Sequence, residues 1–172
     1  MTARRLRQLG DPVLREVSAA VANPAAEAEL LADLRATLHA FQRTRGFGRG
    51  ISAVQIGEPK RLIYIESGAA SFCLFNPVYE RTSEITFELW DDCFSFPDLL
   101  VWVRRHRAVR VQYLDEKGAA RALDAEGDLA ELLQHEMDHL DGVLAVDRAL
   151  DAQAFATREE WLRRGAPRLS RW

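Results

Sequence analysis

The chain has 172 residues, a hydrophobic fraction of 48% and a net charge of −3. This length predicts one domain over residues 1–172 with a sizeable core, and the absence of long basic or acidic blocks gives no argument for a specific nucleic-acid partner. No stretch approaches the roughly 20 apolar residues of a membrane span, and the first residues lack the apolar core of a signal peptide, so we expect a cytoplasmic protein without a membrane partner.

The first predicted elements are helical. Residues 10–15, G-D-P-V-L-R, predict a turn and a short helix, with Asp11 as its cap and Pro12 at its first position. Residues 24–45 predict a longer helix, because leucines recur at helical spacing and Gly46 ends the run. A glycine-rich loop is expected at residues 46–51.

The middle of the chain predicts β structure. Segments rich in β-branched and aromatic residues are expected to form strands at residues 61–65, 72–79, 85–90, 100–104 and 108–114, and residues 115–118 predict a hairpin-like turn. Helices are expected again at residues 128–140 and 152–164. This order of helices, strands and helices favours an α+β fold over a doubly wound sheet.

The most informative motif is H-E-M-D-H at residues 135–139, which holds two of the four histidines in the chain. Positions i and i+4 share one face of a helix, so His135 and His139 can reach a single metal ion, and Glu136 can act on a water held there. A hydrolytic metal site usually has a third protein ligand. Cys93, where a predicted strand ends, is the leading candidate, whereas the mid-strand position of Cys73 favours a buried apolar role.

Three separated motifs resemble those of the peptide deformylases. Residues 48–55 read G-R-G-I-S-A-V-Q against the family's G-x-G-[LI]-A-A-x-Q, and residues 91–95 read D-D-C-F-S against E-G-C-L-S. Residues 134–142 read Q-H-E-M-D-H-L-D-G against Q-H-E-x-D-H-L-x-G, and the G-D-P-V-L of residues 10–14 is similar to the family's G-D-P-x-L. An H-E-x-x-H motif alone also occurs in zinc proteases, but three motifs in order along nearly the whole chain are highly specific.

The resemblance implies a fold and a metal. The fold would have N-terminal helices, mixed or antiparallel sheets around a central metal-binding helix, and a C-terminal helix. One divalent ion would be held by Cys93, His135 and His139, with Fe²⁺ expected and Zn²⁺ or Ni²⁺ also able to occupy the site. The family's salt bridge beside the metal would join Arg105 to Asp91, although the two positions are also compatible with solvated surface charges.

The resemblance also assigns the reaction, hydrolysis of an N-formyl amide. Glu136 would be the general base, and Gln55 with the backbone N–H of Phe94 would stabilise the oxyanion. The backbone of Gly50 would pair with an extended substrate as an added strand does. Ser52 stands where the family has alanine, which is a mild change.

Larger departures from the family fall where it grips its substrate. Arg49 stands between the first two motif glycines, Asp92 stands for the glycine before the cysteine, and Asp128 and Glu131 replace apolar residues on the metal helix. With Leu132, these residues form the predicted substrate-binding set. Each change also has an unremarkable explanation, for example a capping box formed by Asp128 and Glu131. Together they predict a more polar pocket, and losing the burial of a methionine side chain would cost roughly 1.5–3 kcal/mol of substrate preference.

Several functions remain open at this point. The first hypothesis is removal of formate from N-terminal formylmethionine of peptides. The second is hydrolysis of another N-formyl compound, small or polar. The third is a catalytically silent relative that binds peptide, and the fourth is an H-E-x-x-H protease. The sequence does not define the oligomeric state or a role for residues 164–172.

Overall fold

The computed structural model describes residues 2–67 and 70–169. Its helices are α1 (Ala28–Arg45), α2 (Asp128–Leu140) and α3 (Arg158–Arg163). Its strands are β1 (Gly50–Ser52), β2 (Leu62–Ser67), β3 (Ala70–Thr82), β4 (Thr86–Asp92), β5 (Leu99–His106), β6 (Ala108–Leu114), β7 (Ala120–Glu126) and β8 (Phe155–Thr157). Short 3₁₀ turns lie at Pro12–Arg15, Pro24–Glu27, Ala53–Ile56 and Ala145–Arg148. Across the described ranges, we find no helix with the length and apolar character needed to traverse a lipid bilayer.

The strands form two antiparallel sheets. Five strands pair in the order β1-β2-β3-β6-β7, and three pair in the order β4-β5-β8. The pairing of β4 with β5 runs from Thr86 opposite His106 to Asp92 opposite Leu100. Strand β4 ends at Asp92, so Cys93 is the first residue after the strand.

Helix α2 lies between the two sheets, in contact with β1, β2 and β7 on one side and β5 on the other. Every residue from Ala130 to Leu140 is buried, which is unusual for a helix with so many polar side chains. Its apolar residues pack with Ile63, Ile65, Leu74, Val109 and Val111 of the larger sheet. The polar side chains therefore point to the opposite side, where they must find partners inside the protein.

The end of α2 depends on Gly142. This residue has a φ of 71°, and a Cβ at its position would lie 2.5 Å from the backbone oxygen of Arg15. Glycine is thus required both by the left-handed conformation and by the close passage of the N-terminal segment.

The fold class predicted from the sequence, α+β with sheets around the H-E-x-x-H helix, is confirmed. The predicted bounds of α2 and β6 agree with the structure. The helix predicted at residues 152–164 is wrong in its first part, because residues 155–157 form β8 on the edge of β5, and α3 begins only at Arg158. The last residues of the tail, 170–172, lie outside the described residues.

Candidate active site

Three buried side chains converge where β4 meets α2. His135 and His139 lie one turn apart on α2, and Cys93 directly follows β4. The Cys93 Sγ lies 3.3 Å from Nε2 of His139, and the ligand atoms of all three residues lie within 4.8 Å of one another. Their exposed fractions are 1% for Cys93, 6% for His135 and 1% for His139.

The chemistry of this donor set fits a divalent transition metal. One sulfur and two imidazole nitrogens form the kind of three-ligand set that leaves a further position open. The backbone N–H of Ser95 points at Cys93 Sγ from 3.4 Å, and Gln55 Nε2 lies 3.6 Å from the same atom. Both groups are hydrogen-bond donors, so they suit a thiolate, which is the form in which cysteine binds metals.

A buried chain of charges supports His135 from behind. Its Nδ1 lies 2.9 Å from Oδ1 of Asp91, whose other oxygen accepts a hydrogen bond from Arg105 Nη2 at 2.9 Å. Arg105 Nη1 in turn donates to Asp138 at 2.5 Å, and Arg148 Nη2 donates to the same carboxylate at 2.7 Å. Asp91 and Arg105 are thus buried partners and not solvated surface charges. Because Nδ1 of His135 is engaged, its Nε2 is left for a metal ion.

The two histidines differ in their electrostatics. Burial, together with the charge of His135, lowers the pKa of His139 well below its ordinary value, so its imidazole is neutral and able to act as a ligand. Burial alone would lower the pKa of His135 too, but Asp91 and Cys93 raise it well above its ordinary value. Burial would likewise raise the pKa of Asp91, but His135 and Arg105 lower it. Metal binding would therefore release a proton from His135.

Glu136 is placed to accept a proton. Its Oε2 accepts a hydrogen bond from Ser52 Oγ at 2.5 Å, and its Oε1 lies beside Gly50, where a Cβ would stand only 3.0 Å from that oxygen. Burial raises the pKa of Glu136 above its ordinary value, although His135 and Ser52 act in the opposite direction. A buried carboxylate with a raised pKa is suited to take up and return a proton near neutral pH.

Gln55 presents its amide in a defined orientation. Its Oε1 accepts the backbone N–H of Ser52 at 2.9 Å, so its Nε2 must face the opposite way, towards Cys93 and Ser95. The peptide that follows Phe94 is also held, because the Phe94 carbonyl accepts a hydrogen bond from Gln8 Nε2 at 3.2 Å. Gln55, Cys93 and Phe94 line the same cavity.

Gln55, Cys93, His135 and Glu136 line one cavity of about 340 Å³, and His139 lies directly behind Cys93. Residues 47–50 form one side of the cavity, the end of β4 and the loop after it form a second, and α2 forms its floor. Gln55, Leu100, Trp161 and Arg168 complete the lining. The lining residues are Phe47, Gly48, Arg49, Gly50, Gln55, Trp90, Asp92, Cys93, Phe94, Leu100, Glu131, Leu132, His135, Glu136, Trp161 and Arg168.

A family model described as Polypeptide deformylase matches residues 3–154 of the chain. The chain belongs to the polypeptide deformylase family. The resemblance carried by the three sequence motifs is confirmed, and with it the assignment to the hydrolases that act on N-formyl amides.

Known deformylases are similar to the chain over most of its length. Peptide deformylase of Rhizobium meliloti (strain 1021) is 39% identical over 153 residues, which cover 86% of this chain and 85% of the relative. Peptide deformylase 2 of Clostridium perfringens (strain 13 / Type A) is 36% identical over 151 residues, covering 87% and 94%. The solved peptide deformylase of Thermotoga maritima has a TM-score of 0.82 at 28% identity, covering 88% of this chain and all (100%) of that one. The deformylase of Synechococcus elongatus, solved in complex with actinonin, has a TM-score of 0.82 at 34% identity, covering 96% and 87%.

The side of the cavity beside Arg49 and Glu131 carries the departures from the family pattern. Arg49 Nη2 donates to Glu131 Oε2 at 2.8 Å, and Glu131 is only 3% exposed. Leu132 and Asp92 also line the cavity, and Asp92 pairs with Arg158 at 2.6 Å. Burial raises the pKa of Glu131 above its ordinary value, with Asp91 adding to this effect and the arginines opposing it.

Asp128 is placed differently from the other predicted substrate-binding residues. Its side chain is 71% exposed and it does not line the cavity, although its backbone oxygen accepts a hydrogen bond from Arg49 Nη1 at 3.2 Å. The capping-box alternative is wrong, since Gly127 is the N-cap of α2, Asp128 is its first residue, and the Glu131 side chain faces the cavity.

Sequence reasoning missed other residues at the cavity. Trp90, Trp161 and Arg168 all line it, and the hydroxyl of Ser52 contacts the carboxylate of Glu136. The sequence could have indicated Ser52, because it lies three residues before Gln55 in the first motif. Trp161 and Arg168 follow the last motif in the chain, and only the folding of the C-terminal segment brings them to the cavity.

Proposed function

We propose that the chain is a metal-dependent deformylase that hydrolyses an N-formyl group and releases formate, with the N-terminal formylmethionine of peptides as the first candidate substrate. The observation that supports this proposal is that three groups meet at one site: the ligand set of Cys93, His135 and His139, the carboxylate of Glu136 and the amide of Gln55. All of these residues except His139 line the same cavity. A protease of the H-E-x-x-H type would not need the last of these, nor would a silent peptide-binding relative.

The residues present suit one divalent ion, proposed to be Fe²⁺, with Zn²⁺ or Ni²⁺ as substitutes. When bound, such an ion supplies Lewis-acid activation of water and of a carbonyl oxygen. The chain's own residues do the rest. Glu136 takes the proton of the attacking water and delivers it to the amine that leaves.

Two further groups act on the carbonyl oxygen as it gains negative charge. Gln55 Nε2 and the backbone N–H of Phe94 are the proposed donors, and a donor of this kind typically lowers the barrier by about 3 kcal/mol. The backbone of Gly50 is proposed to pair with the substrate main chain. A side chain at this position would come within 3.1 Å of Leu132 and 3.0 Å of Glu136, so glycine leaves space that any other residue would fill.

A second candidate substrate is an N-formyl compound whose side chain is polar. The partly buried ion pair between Arg49 and Glu131, at positions where the family has apolar residues, favours it. A methionine side chain would meet charged groups there and lose part of the roughly 1.5–3 kcal/mol that its burial supplies. In either case we place the reaction in the cytoplasm, on N-formyl peptides or small N-formyl compounds.

An assay of formate release distinguishes the two candidate substrates from each other and from a catalytically silent relative. The protein is purified anaerobically with Fe²⁺ and assayed with formyl-Met-Ala and with a panel of other N-formyl dipeptides. Turnover of formyl-Met-Ala at ordinary deformylase rates supports the first substrate and rules against the second. Metal-loaded protein that hydrolyses no member of the panel would contradict the proposed activity and favour a silent relative.

A further inference from the structure

The C-terminal segment, residues 164–169, folds back onto the substrate side of the cavity. The backbone N–H of Trp90 on β4 donates to the carbonyl oxygen of Arg168 at 2.9 Å. The indole Nε1 of Trp161 donates to the carbonyl oxygen of Pro167 at 3.1 Å. These two bonds fix the segment beside the cavity, and the Arg168 side chain forms part of its wall.

Arg168 and Arg49 bind the same carboxylate from two directions. Arg168 Nη2 donates to Glu131 Oε2 at 2.5 Å, and Arg49 Nη2 donates to the same oxygen at 2.8 Å. The Glu131 side chain is 4% exposed, whereas those of Arg49 and Arg168 are 35% and 36% exposed. One α2 side chain thus holds two guanidinium groups, which come from parts of the chain far apart in sequence.

Hydrogen-bond donors outnumber acceptors on the side of the cavity formed by Arg49, Glu131 and Arg168. Each guanidinium carries several N–H groups and no acceptor. The other acids nearby do not balance them, because Asp128 lies 3.8 Å from Arg168 with a side chain that is 71% exposed, and Asp92 is paired with Arg158. An exposed ion pair at that distance is weak and screened by solvent. N–H groups of Arg49 and Arg168 therefore remain for whatever enters the cavity.

We infer that Arg168 is a specificity-determining residue, which together with Arg49 favours N-formyl substrates whose first side chain carries a hydrogen-bond acceptor over those with methionine. The inference rests on the proposed deformylation and names its substrate class. A methionine thioether is only a weak acceptor, so it would cover the guanidinium N–H groups without satisfying them. A side-chain amide or carboxylate oxygen satisfies them, and hydrogen bonds to charged groups are among the stronger ones.

Formyl-Gln-Ala and formyl-Met-Ala test this, because glutamine and methionine have similar length and differ in polarity. We expect metal-loaded wild-type protein to have a kcat/KM for the glutamine peptide at least equal to that for the methionine peptide. Arg168→Ala should lower this ratio about tenfold, mainly through KM of the glutamine peptide, because the contact exists before the reaction begins. Arg49→Ile should change the ratio in the same direction.

Arg163→Ala is the matched control, since Arg163 lies on α3, pairs with Glu160 and is 67% exposed. It should leave the ratio unchanged. A wild-type kcat/KM that is higher for the methionine peptide, or an Arg168→Ala ratio equal to that of wild type, overturns the inference. Equal losses with both peptides also overturn it, because they indicate a structural role only. If wild type hydrolyses neither these peptides nor any other N-formyl compound, the proposed function fails first.

Discussion

The two carboxylate oxygens of Glu136 have different surroundings, and this difference gives the residue its proposed role. Oε2 is held by the hydroxyl of Ser52 at 2.5 Å, while Oε1 stands at Gly50, on the side where the substrate main chain is proposed to bind. Ser52 therefore limits the rotation of the carboxylate, so that one particular oxygen faces the reaction. In a family pattern with alanine at this position, that contact would be absent.

For this single residue, we predict the effect of Glu136→Ala. The variant should retain its metal, because Glu136 is not among the three proposed ligands, and kcat/KM for formate release should fall at least about a hundredfold. Metal content by elemental analysis and formate release measure the two effects separately. Activity near the wild-type level with metal bound would mean that another group is the base.

For the site, the sequence predicted residue identities. The H-E-x-x-H spacing paired His135 with His139 and included Glu136, the end of a predicted strand pointed to Cys93, and the resemblance added Gln55. The structure brings these side chains together, and all of them except His139 line one cavity. The orientation of each group was not predictable, because it depends on partners such as Ser52 whose approach is set by tertiary packing.

At the scale of elements, the central feature is how α2 is tied to the smaller sheet. Arg105 on β5 links Asp91 on β4 to Asp138 on α2, and the side chains of Arg105 and Asp91 are only 3% and 1% exposed. Breaking such a pair leaves an unpaired charge inside the protein, which costs more than the pair contributes. The network thus fixes the position of α2 relative to β4, the strand that precedes Cys93.

We predict that Arg105→Leu lowers the free energy of unfolding by about 3–5 kcal/mol, because Asp91 and Asp138 lose a buried partner. Urea unfolding followed by circular dichroism measures the change. Arg104→Leu is the control on the same strand, since Arg104 is 56% exposed and pairs with Glu88 at the surface, and it should cost no more than about 0.5 kcal/mol. Equal effects of the two substitutions would contradict a structural role for the network.

The end of α2 gives a second prediction at this scale. Gly142→Ala should destabilise the protein more than Gly46→Ala does. Gly46 is the residue at which α1 ends. Both glycines have left-handed backbones, with φ of 71° and 76°, so both substitutions carry a conformational cost of about 1 kcal/mol. Only Gly142 also has backbone in the way, at 2.5 Å, whereas nothing lies within 4 Å of a Cβ at Gly46. Thermal unfolding of the pair compares them, and similar losses would mean that the contact with Arg15 relaxes freely.

The elements that sequence patterns missed are those that depend on a neighbour. Strand β7 has exposed or half-exposed side chains except at Ala125, so it lacks the apolar alternation that marks a strand, and it exists because β6 offers its edge. Strand β8 is three residues long and, among the described residues, pairs only with β5. Helix α2, by contrast, was predicted with its observed bounds.

For the whole molecule, the candidate metal centre joins parts that are distant in the chain. Its ligands come from the loop after β4 and from α2, and α2 in turn contacts both sheets. An ion held there binds the folded state and not the unfolded chain, so it stabilises the fold by mass action.

We therefore expect metal removal to lower the melting temperature as well as abolish formate release. A metal concentration of about a hundred times Kd should add about 2.7 kcal/mol to the free energy of unfolding. Differential scanning calorimetry of the protein with a chelator and after reconstitution measures this effect. Cys93→Ala should show a much smaller response to metal, and an equal response would place the metal elsewhere.

The sequence by itself determined the family, the α+β order of elements and the residues of the proposed chemistry, because these depend on local spacing and on short motifs whose residues are near neighbours within each motif. Only the tertiary structure decided that Asp128 points to solvent while Glu131 faces the cavity, and that Arg168 from the C-terminal segment reaches the same carboxylate as Arg49. The physical reason is that a charged side chain is placed by the partners that offset its desolvation. For Glu131 those partners lie 82 residues before it and 37 residues after it.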